Sequence, residues 1–285
     1  MVSNYVSIKF LGELKMIITS LFLKNFGPFR ECEVQFKPGL NIITGANGSG
    51  KTQLFGAIAF CVLGPKALQI VEGTPSESTV RLTCEKDKHR QIVEYQYLNG
   101  KFLKTFIDRK NAFVSDTIIR NYENLLYKYI PAFISDISFI KEIPDNQDFD
   151  LLTNIVADYT PMREQWDKIK ETYEPQITET ESKKIIINSM GEEWLLKLIK
   201  RLLLQIRNEC PIVIDEPFVY LDENIINFIM GLLKILSQNN QIILFSSGHY
   251  IDTKYKIYSI PSEQAPVISS IYYKAHESIA PHCGS

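Results

Sequence analysis

Apolar and polar positions alternate in short runs through the first hundred residues and then give way to longer, helix-spaced patterns. Residues 17–23 (IITSLFL) and 31–36 (ECEVQF) are predicted strands, and 40–44 (LNIIT) reads as a buried strand. A glycine-rich loop follows, then a helical pattern from Lys51 to Leu63. Residues 91–97 and 101–108 flank Asn99-Gly100, a strong two-residue hairpin signal. Residues 112–128 are predicted helical, and 155–186, polar with a broken apolar pattern, predict a short helical excursion. From 192 to 207 an amphipathic helix puts Leu195, Leu198, Ile199, Leu202 and Ile206 on one face and Lys197, Lys200 and Arg201 on the other. Apolar strands at 211–214 (PIVI) and 241–245 (QIILF) bracket a helix over 223–237, and 254–260 and 266–273 read as β. Strands alternating with helices, the strands continuously apolar, predict an α/β fold with a mainly parallel sheet covered on both sides.

Composition narrows this only a little. A length of 285 residues suits one large domain or two small ones, and 45% hydrophobic residues provide for a sizeable core. The formal charge of −2 gives no global basic field, so any nucleic-acid contact must use a local patch. Five scattered cysteines (Cys32, Cys61, Cys84, Cys210, Cys283) form no C-x-x-C pair, which argues against a zinc knot or disulfide framework and fits a reducing cytoplasm. No apolar run reaches the ~18 residues of a membrane span. Met16 opens a segment that reads as a natural start, with residues 1–15 either an extension or the product of an upstream in-frame start.

Two segments carry chemistry. Gly45–Thr52 (GANGSGKT) has the G-x-x-x-x-G-K-[ST] form between a predicted strand and a predicted helix. Its glycines let backbone N–H groups curl toward phosphate oxygens, the helix start adds a positive dipole end, Lys51 reaches the β- and γ-phosphates, and the Thr52 hydroxyl binds Mg²⁺. "PIVIDEPFVYLDEN", residues 211–224, ends a buried strand with two carboxylates. Asp215 is placed for the Mg²⁺ shell, and Glu216 to orient or deprotonate the attacking water. Asp222 reads as the N-cap of the next helix, a role compatible with one at a subunit boundary. In "INSMGEEW", residues 187–194, Ser189 and Glu192 have the spacing of a capping box.

With these motifs in order, the chain resembles the ABC-type ATPases, and within them the SMC/RecF/SbcC group of DNA-maintenance ATPases. "LKNFGPF" (23–29), "FKPGLNIITGANGSGKT" (36–52) and "AIAFCVLG" (57–64) are similar to the N-terminal lobe of an SMC or RecF head, "IDEPFVYLDE" (214–223) resembles SbcC, and "NSMGEE" resembles the family signature S-x-G-[EQ]. The resemblance implies a P-loop NTPase head: residues 16–150 an N-terminal lobe with an antiparallel β part, 151–186 a short helical insertion, 187–285 a C-terminal lobe. It also implies that two heads sandwich two ATP molecules. The nucleotide-binding set is then Gly45, Ala46, Asn47, Gly48, Ser49, Gly50, Lys51, Thr52 and Gln53, with Ser189, Gly191 and Asp222 acting toward the partner's nucleotide or the boundary. The catalytic candidates are Glu216, Lys51 and His249, the last as γ-phosphate sensor, and the Mg²⁺ ligands are Thr52, Asp215 and Gln147. The family's Gln position falls on Glu142 or Gln147, and the neutral amide of Gln147 better suits a metal already facing two carboxylates.

The sequence departs from the family at the arm. Only residues 155–186 stand where SMC heads carry hundreds of coiled-coil residues, and the hook cysteines are missing. The resulting expectation is an ATP hydrolase that forms a homodimer on ATP and thereby controls DNA or a nuclease-like partner. Lys101, Lys104, Arg109, Lys110, Lys168, Lys170, Lys183 and Lys184 are the candidate DNA contacts. The alternatives are a defence or mobile-element ATPase gating an effector protein and, disfavoured by "AIAFCVLG" and "YLDEN", a transporter motor.

Overall fold

Six strands near the start of the chain form an antiparallel ladder in the computed structural model, which describes residues 16–64, 77–86, 89–98, 101–108, 111–113, 132–134, 146–157, 160–178, 190–206, 211–247, 258–260 and 271–273. They are β1 (Met16–Phe26), β2 (Phe29–Gln35), β4 (Glu77–Lys86), β5 (His89–Leu98), β6 (Lys101–Asp108) and β7 (Asn111–Phe113), in the order β2-β1-β4-β5-β6-β7. Leu98 pairs with Lys101, the register that an Asn-Gly hairpin requires. The register of β1 on β4 shifts between Ile18 and Ser20, and the inward alternation of β1 changes phase there, as one extra residue in a strand must cause.

The second sheet is parallel: β8 (Ala132–Ile134), β9 (Ile212–Asp215), β10 (Ile242–Ser246), β3 (Leu40–Gly45) and β11 (Tyr258–Ile260), with β12 (Ile271–Tyr273) added antiparallel to β3. Its side chains divide between two cores. Leu40, Ile42, Ile212, Ile214, Ile242 and Leu244 enter the helical core. Ile43, Val213, Ile243 and Phe245 enter the core shared with the antiparallel ladder. A period of two with apolar residues at both phases is what burial on both faces demands. Helix α1 (Lys51–Leu63) belongs to the second core, and every residue from Leu54 to Cys61 on it is buried.

Helices α2 (Asn146–Val156), α3 (Thr160–Thr178), α4 (Met190–Ile206) and α5 (Glu223–Leu236) contribute to the first core. Trp166 of α3 is fully buried, stacks on Phe228 at 6.1 Å, and donates its indole N–H to the Thr153 hydroxyl at 2.8 Å. The region expected to be an excursion therefore supplies a 19-residue helix that is anchored in the core by Trp166 and Ile169. On α4 the expected polar face is partly inward: Lys200 is nearly buried and pairs with Asp148 of α2. Asp222 caps α5 as expected, accepting from the Ile225 N–H at 3.0 Å. Strand β4 was not apparent from the sequence pattern. Of the helix expected over 112–128, Ala112 and Phe113 belong to β7, and 114–128 lie outside the described residues.

One side chain stitches the two sheets together. β2 covers β1 only from Ser20 onward, so Ile18 has an open edge. Gln241, fully buried ahead of β10, fills that edge: its Oε1 accepts from the Ile18 N–H at 2.7 Å, and its Nε2 donates to the carbonyls of Ile18 at 2.7 Å and Lys37 at 3.0 Å. The amide thus acts as a one-residue strand partner. Gln241→Leu leaves buried backbone groups without partners, at about 1–3 kcal/mol for each. We expect a drop in denaturation midpoint with an unchanged m-value, measured by urea titration.

Candidate functional site

The segment Ala46–Lys51 joins β3 to α1 with an unusual helix start. The N-cap is Gly50 at φ 100°, no side chain caps the first turn, and no acidic residue lies in it. Its free N–H groups and the helix dipole therefore face the loop and suit an anion. Gly50 is required twice over: the left-handed φ favours glycine, and a Cβ there would approach the Phe29 ring to 2.6 Å and Pro28 to 2.8 Å. A Cβ on Gly27, also left-handed at φ 53°, would meet the Gln53 side chain at 2.9 Å. The turn Asn25–Phe29 is thus the floor on which the loop rests, a role for "NFGPF" that sequence patterning does not reveal.

Lys51 is 5% exposed, and its Nζ donates to the carbonyls of Gly45 at 2.8 Å and Ala46 at 3.2 Å while lying 3.2 Å from Glu216 Oε1. Glu216 leaves the end of β9 at φ 46°, a left-handed conformation uncommon for a residue with a side chain. Its surroundings impose it: the Glu216 N–H donates to the Phe245 carbonyl at 2.9 Å, and Oε2 accepts from Ser247 N–H at 3.0 Å and Ser247 Oγ at 3.3 Å. Strain of this kind persists where the fold over-determines it, and it concentrates at functional sites.

Beside Glu216, Asp215 is 8% exposed, and its Oδ1 has no hydrogen-bond partner. Burial pushes its carboxyl up to about 6; a hydrogen bond with the Thr52 side chain opposes this, the Glu216 charge adds to it, and Lys51 opposes it. The Ser49 hydroxyl is likewise buried without a partner. An orphaned oxygen on a carboxylate that is hydrogen-bonded to the Thr52 hydroxyl is a fitting donor set for a hard cation such as Mg²⁺, which takes one or two protein oxygens and completes its shell with waters and phosphate. Among the described residues no cluster of three His, Cys, Asp or Glu forms a metal cage by itself.

The fold therefore brings Lys51, Thr52, Asp215 and Glu216 together, along with Ser247, which the sequence reading missed; the one local sign was a hydroxyl pair, Ser246-Ser247, directly after an apolar strand. Gln147, expected in a loop, lies exposed on the first turn of α2 and makes no hydrogen bond or ion pair with these groups among the described residues. Gly191 is in the first turn of α4. Ser189, His249 and Glu142 lie outside the described residues.

Residues 20–243 match the AAA_23 family, described as an AAA domain. The DNA replication and repair protein RecF of Acetivibrio thermocellus is 25% identical over 193 residues, which cover 64% of this chain and 50% of that protein. The SbcC component of the nuclease SbcCD of Staphylococcus saprophyticus is 33% identical over 101 residues, 34% of this chain and 9% of that protein. The chain thus spans half or less of these relatives. Among solved structures, an SMC head bound to the C-terminal winged-helix domain of ScpA superposes with a TM-score of 0.62 at 17% identity, over 89% of this chain and 98% of that one. A structure of the recombination mediator RecF with ATP superposes with a TM-score of 0.53 at 14% identity, over 90% and 99% of the two chains. At such identities these two likenesses show the fold. The family match takes in both the phosphate loop and the acidic strand end, and the chain belongs to the AAA_23 family as an ATPase head of the SMC/RecF/SbcC type.

Proposed function

We propose that this chain hydrolyses ATP with Mg²⁺, that two copies pair face to face when ATP is bound, and that this pairing controls contact with DNA or with a nuclease or effector protein in genome maintenance. The observation that carries the reading is the convergence of Lys51, Thr52, Asp215 and Glu216 around the uncapped start of α1. In this reading the backbone of Gly45–Gln53 cradles the phosphates, and the γ-phosphate competes with Glu216 for the Lys51 ammonium. Thr52 and Asp215 would hold Mg²⁺, and Gln147, exposed at the start of α2, would have to turn inward to join them. Bound there, Mg²⁺ offsets the charge on the β- and γ-phosphate oxygens. Glu216, released from Lys51 but still oriented by Ser247, takes the water's proton.

Ser189, Gly191 and the start of α4 would face the partner's γ-phosphate, Asp222 the boundary between copies, and His249 the chain's own γ-phosphate. The division into lobes 16–150 and 187–285 with an insertion at 151–186 belongs to the same reading. Of the candidate DNA contacts, Lys104 lies over the Tyr95 ring at 5.2 Å and Lys170 is 3.9 Å from Asp150, so both already serve the fold. No described helix is long and apolar enough to cross a membrane.

Glu216→Gln tests the whole reading. We expect turnover to fall at least about 100-fold, the usual scale for a lost general base, and Mg-ATP to shift the variant to a dimer on gel filtration. A monomer under every nucleotide condition contradicts the pairing, and repeating the run with duplex DNA reads the partner. Asp215 offers an independent check in protein stripped of metal and nucleotide. Its carboxyl is raised from 3.8 to about 6, so its favourable contribution is complete below pH 3.8 and is lost as pH rises through about 6. We expect Asp215→Asn to melt a few degrees above the unaltered protein at pH 7.5, and the gap to narrow as pH falls below 6 and to close near pH 3.8.

A further inference from the structure

Trp194 joins two parts of the site that lie far apart in the chain. It lies on the second turn of α4, packed against the helical core. Its indole Nε1–H donates to the carbonyl of Pro217 at 2.8 Å, and its ring meets Tyr220 edge-on, with centroids 5.2 Å apart and planes at 75°. Pro217 follows Glu216 directly. A proline has no N–H, so its carbonyl is the one main-chain group by which that residue can be hydrogen-bonded. The left-handed peptide of Glu216 is thus gripped on both sides, by the Phe245 carbonyl on its own N–H and by Trp194 on the next carbonyl. Indole suits the second grip, because it is a rigid, donor-only group whose position two χ angles determine.

We propose that Trp194 is a positioning residue for ATP hydrolysis: its N–H holds the Pro217 carbonyl and so sets the direction of Glu216. This rests on Glu216 being the base in the reading above. It adds a route between the two sites of the paired molecule. The first turn of α4 carries Gly191, and a pull on that turn from a partner's phosphate reaches the chain's own Glu216 through one hydrogen bond.

Trp194→Phe keeps a ring against Tyr220 and removes the donor. We expect kcat to fall about tenfold, the scale of one lost hydrogen bond at the reacting geometry, with KM for ATP unchanged, when assayed at a temperature where the variant, lower-melting for want of that bond, is still fully folded. The loss must also vanish in the Glu216→Gln background, because a residue acting through Glu216 has nothing left to position. If Phe at this position prevents folding, Trp194→Tyr takes its place in the same cycle. An unchanged kcat, a rise in KM alone, or equal losses with and without Glu216 overturns the proposal. The two readings fail separately. A Glu216→Gln protein that stays monomeric while the cycle is non-additive removes the pairing and leaves the Trp194 link standing. A trapped dimer with an additive cycle removes the link and leaves the pairing.

Discussion

Lys51 holds its ammonium between two carbonyls of its own loop and the carboxylate of Glu216, and the site is arranged around that buried charge. A lysine so enclosed needs a counter-charge, and the fold supplies it from a strand that is not its neighbour. β10 lies between β3, which leads into the phosphate loop, and β9, which ends in Asp215 and Glu216. The parallel register sets Phe245 against both Ile43 and Asp215, so the three strands end within two residues of one another, and ligands of such sheets bind beyond the carboxyl ends. A one-residue slip would exchange the two apolar faces of β10 along with the site, which is why burial on both sides also guards the chemistry.

The same strand organises the rest of the molecule at both of its ends. Before β10, Gln241 binds the open edge of β1 and ties the antiparallel ladder to the parallel sheet. Within it, the Phe245 carbonyl accepts from the Glu216 N–H; just after it, Ser247 binds the Glu216 carboxylate. With Trp194 on the following carbonyl, the strained residue is held by groups from β10, the loop after it, and α4. Strain with that many supports is a means of aiming a side chain, since the left-handed turn points the Glu216 carboxylate back across the loop toward Lys51.

The helical layer adds a second kind of link. Asp148, next to Gln147 on α2, pairs with Lys200 on α4 in a nearly buried position. An ion pair there is a poor source of stability compared with apolar packing, but it tolerates little displacement. Trp194 near its start and Lys200 in its second half thus tie α4 to the residue after Glu216 and to α2.

The amino-acid sequence by itself determined the phosphate loop, the acidic end of β9, the capping of α5 and the strand–helix alternation, because each depends on residues within a dozen positions of one another: glycines where φ must be positive, a lysine after them, apolar runs of strand length, an aspartate ahead of a helix. Only the tertiary structure decided what depends on distant partners. Ser247 meets Glu216 across 31 positions, Trp194 meets Pro217 across 23, and Gln241 meets Ile18 across 223. Local patterning showed the helical character of α3 but not its anchorage by the buried Trp166 and Ile169, and it set Lys200 on the polar face of α4 with no sign of Asp148 beside it. A charge or an amide in a sequence carries no mark of what will face it; that is settled when the strands align, and here the alignment on β10 settles it.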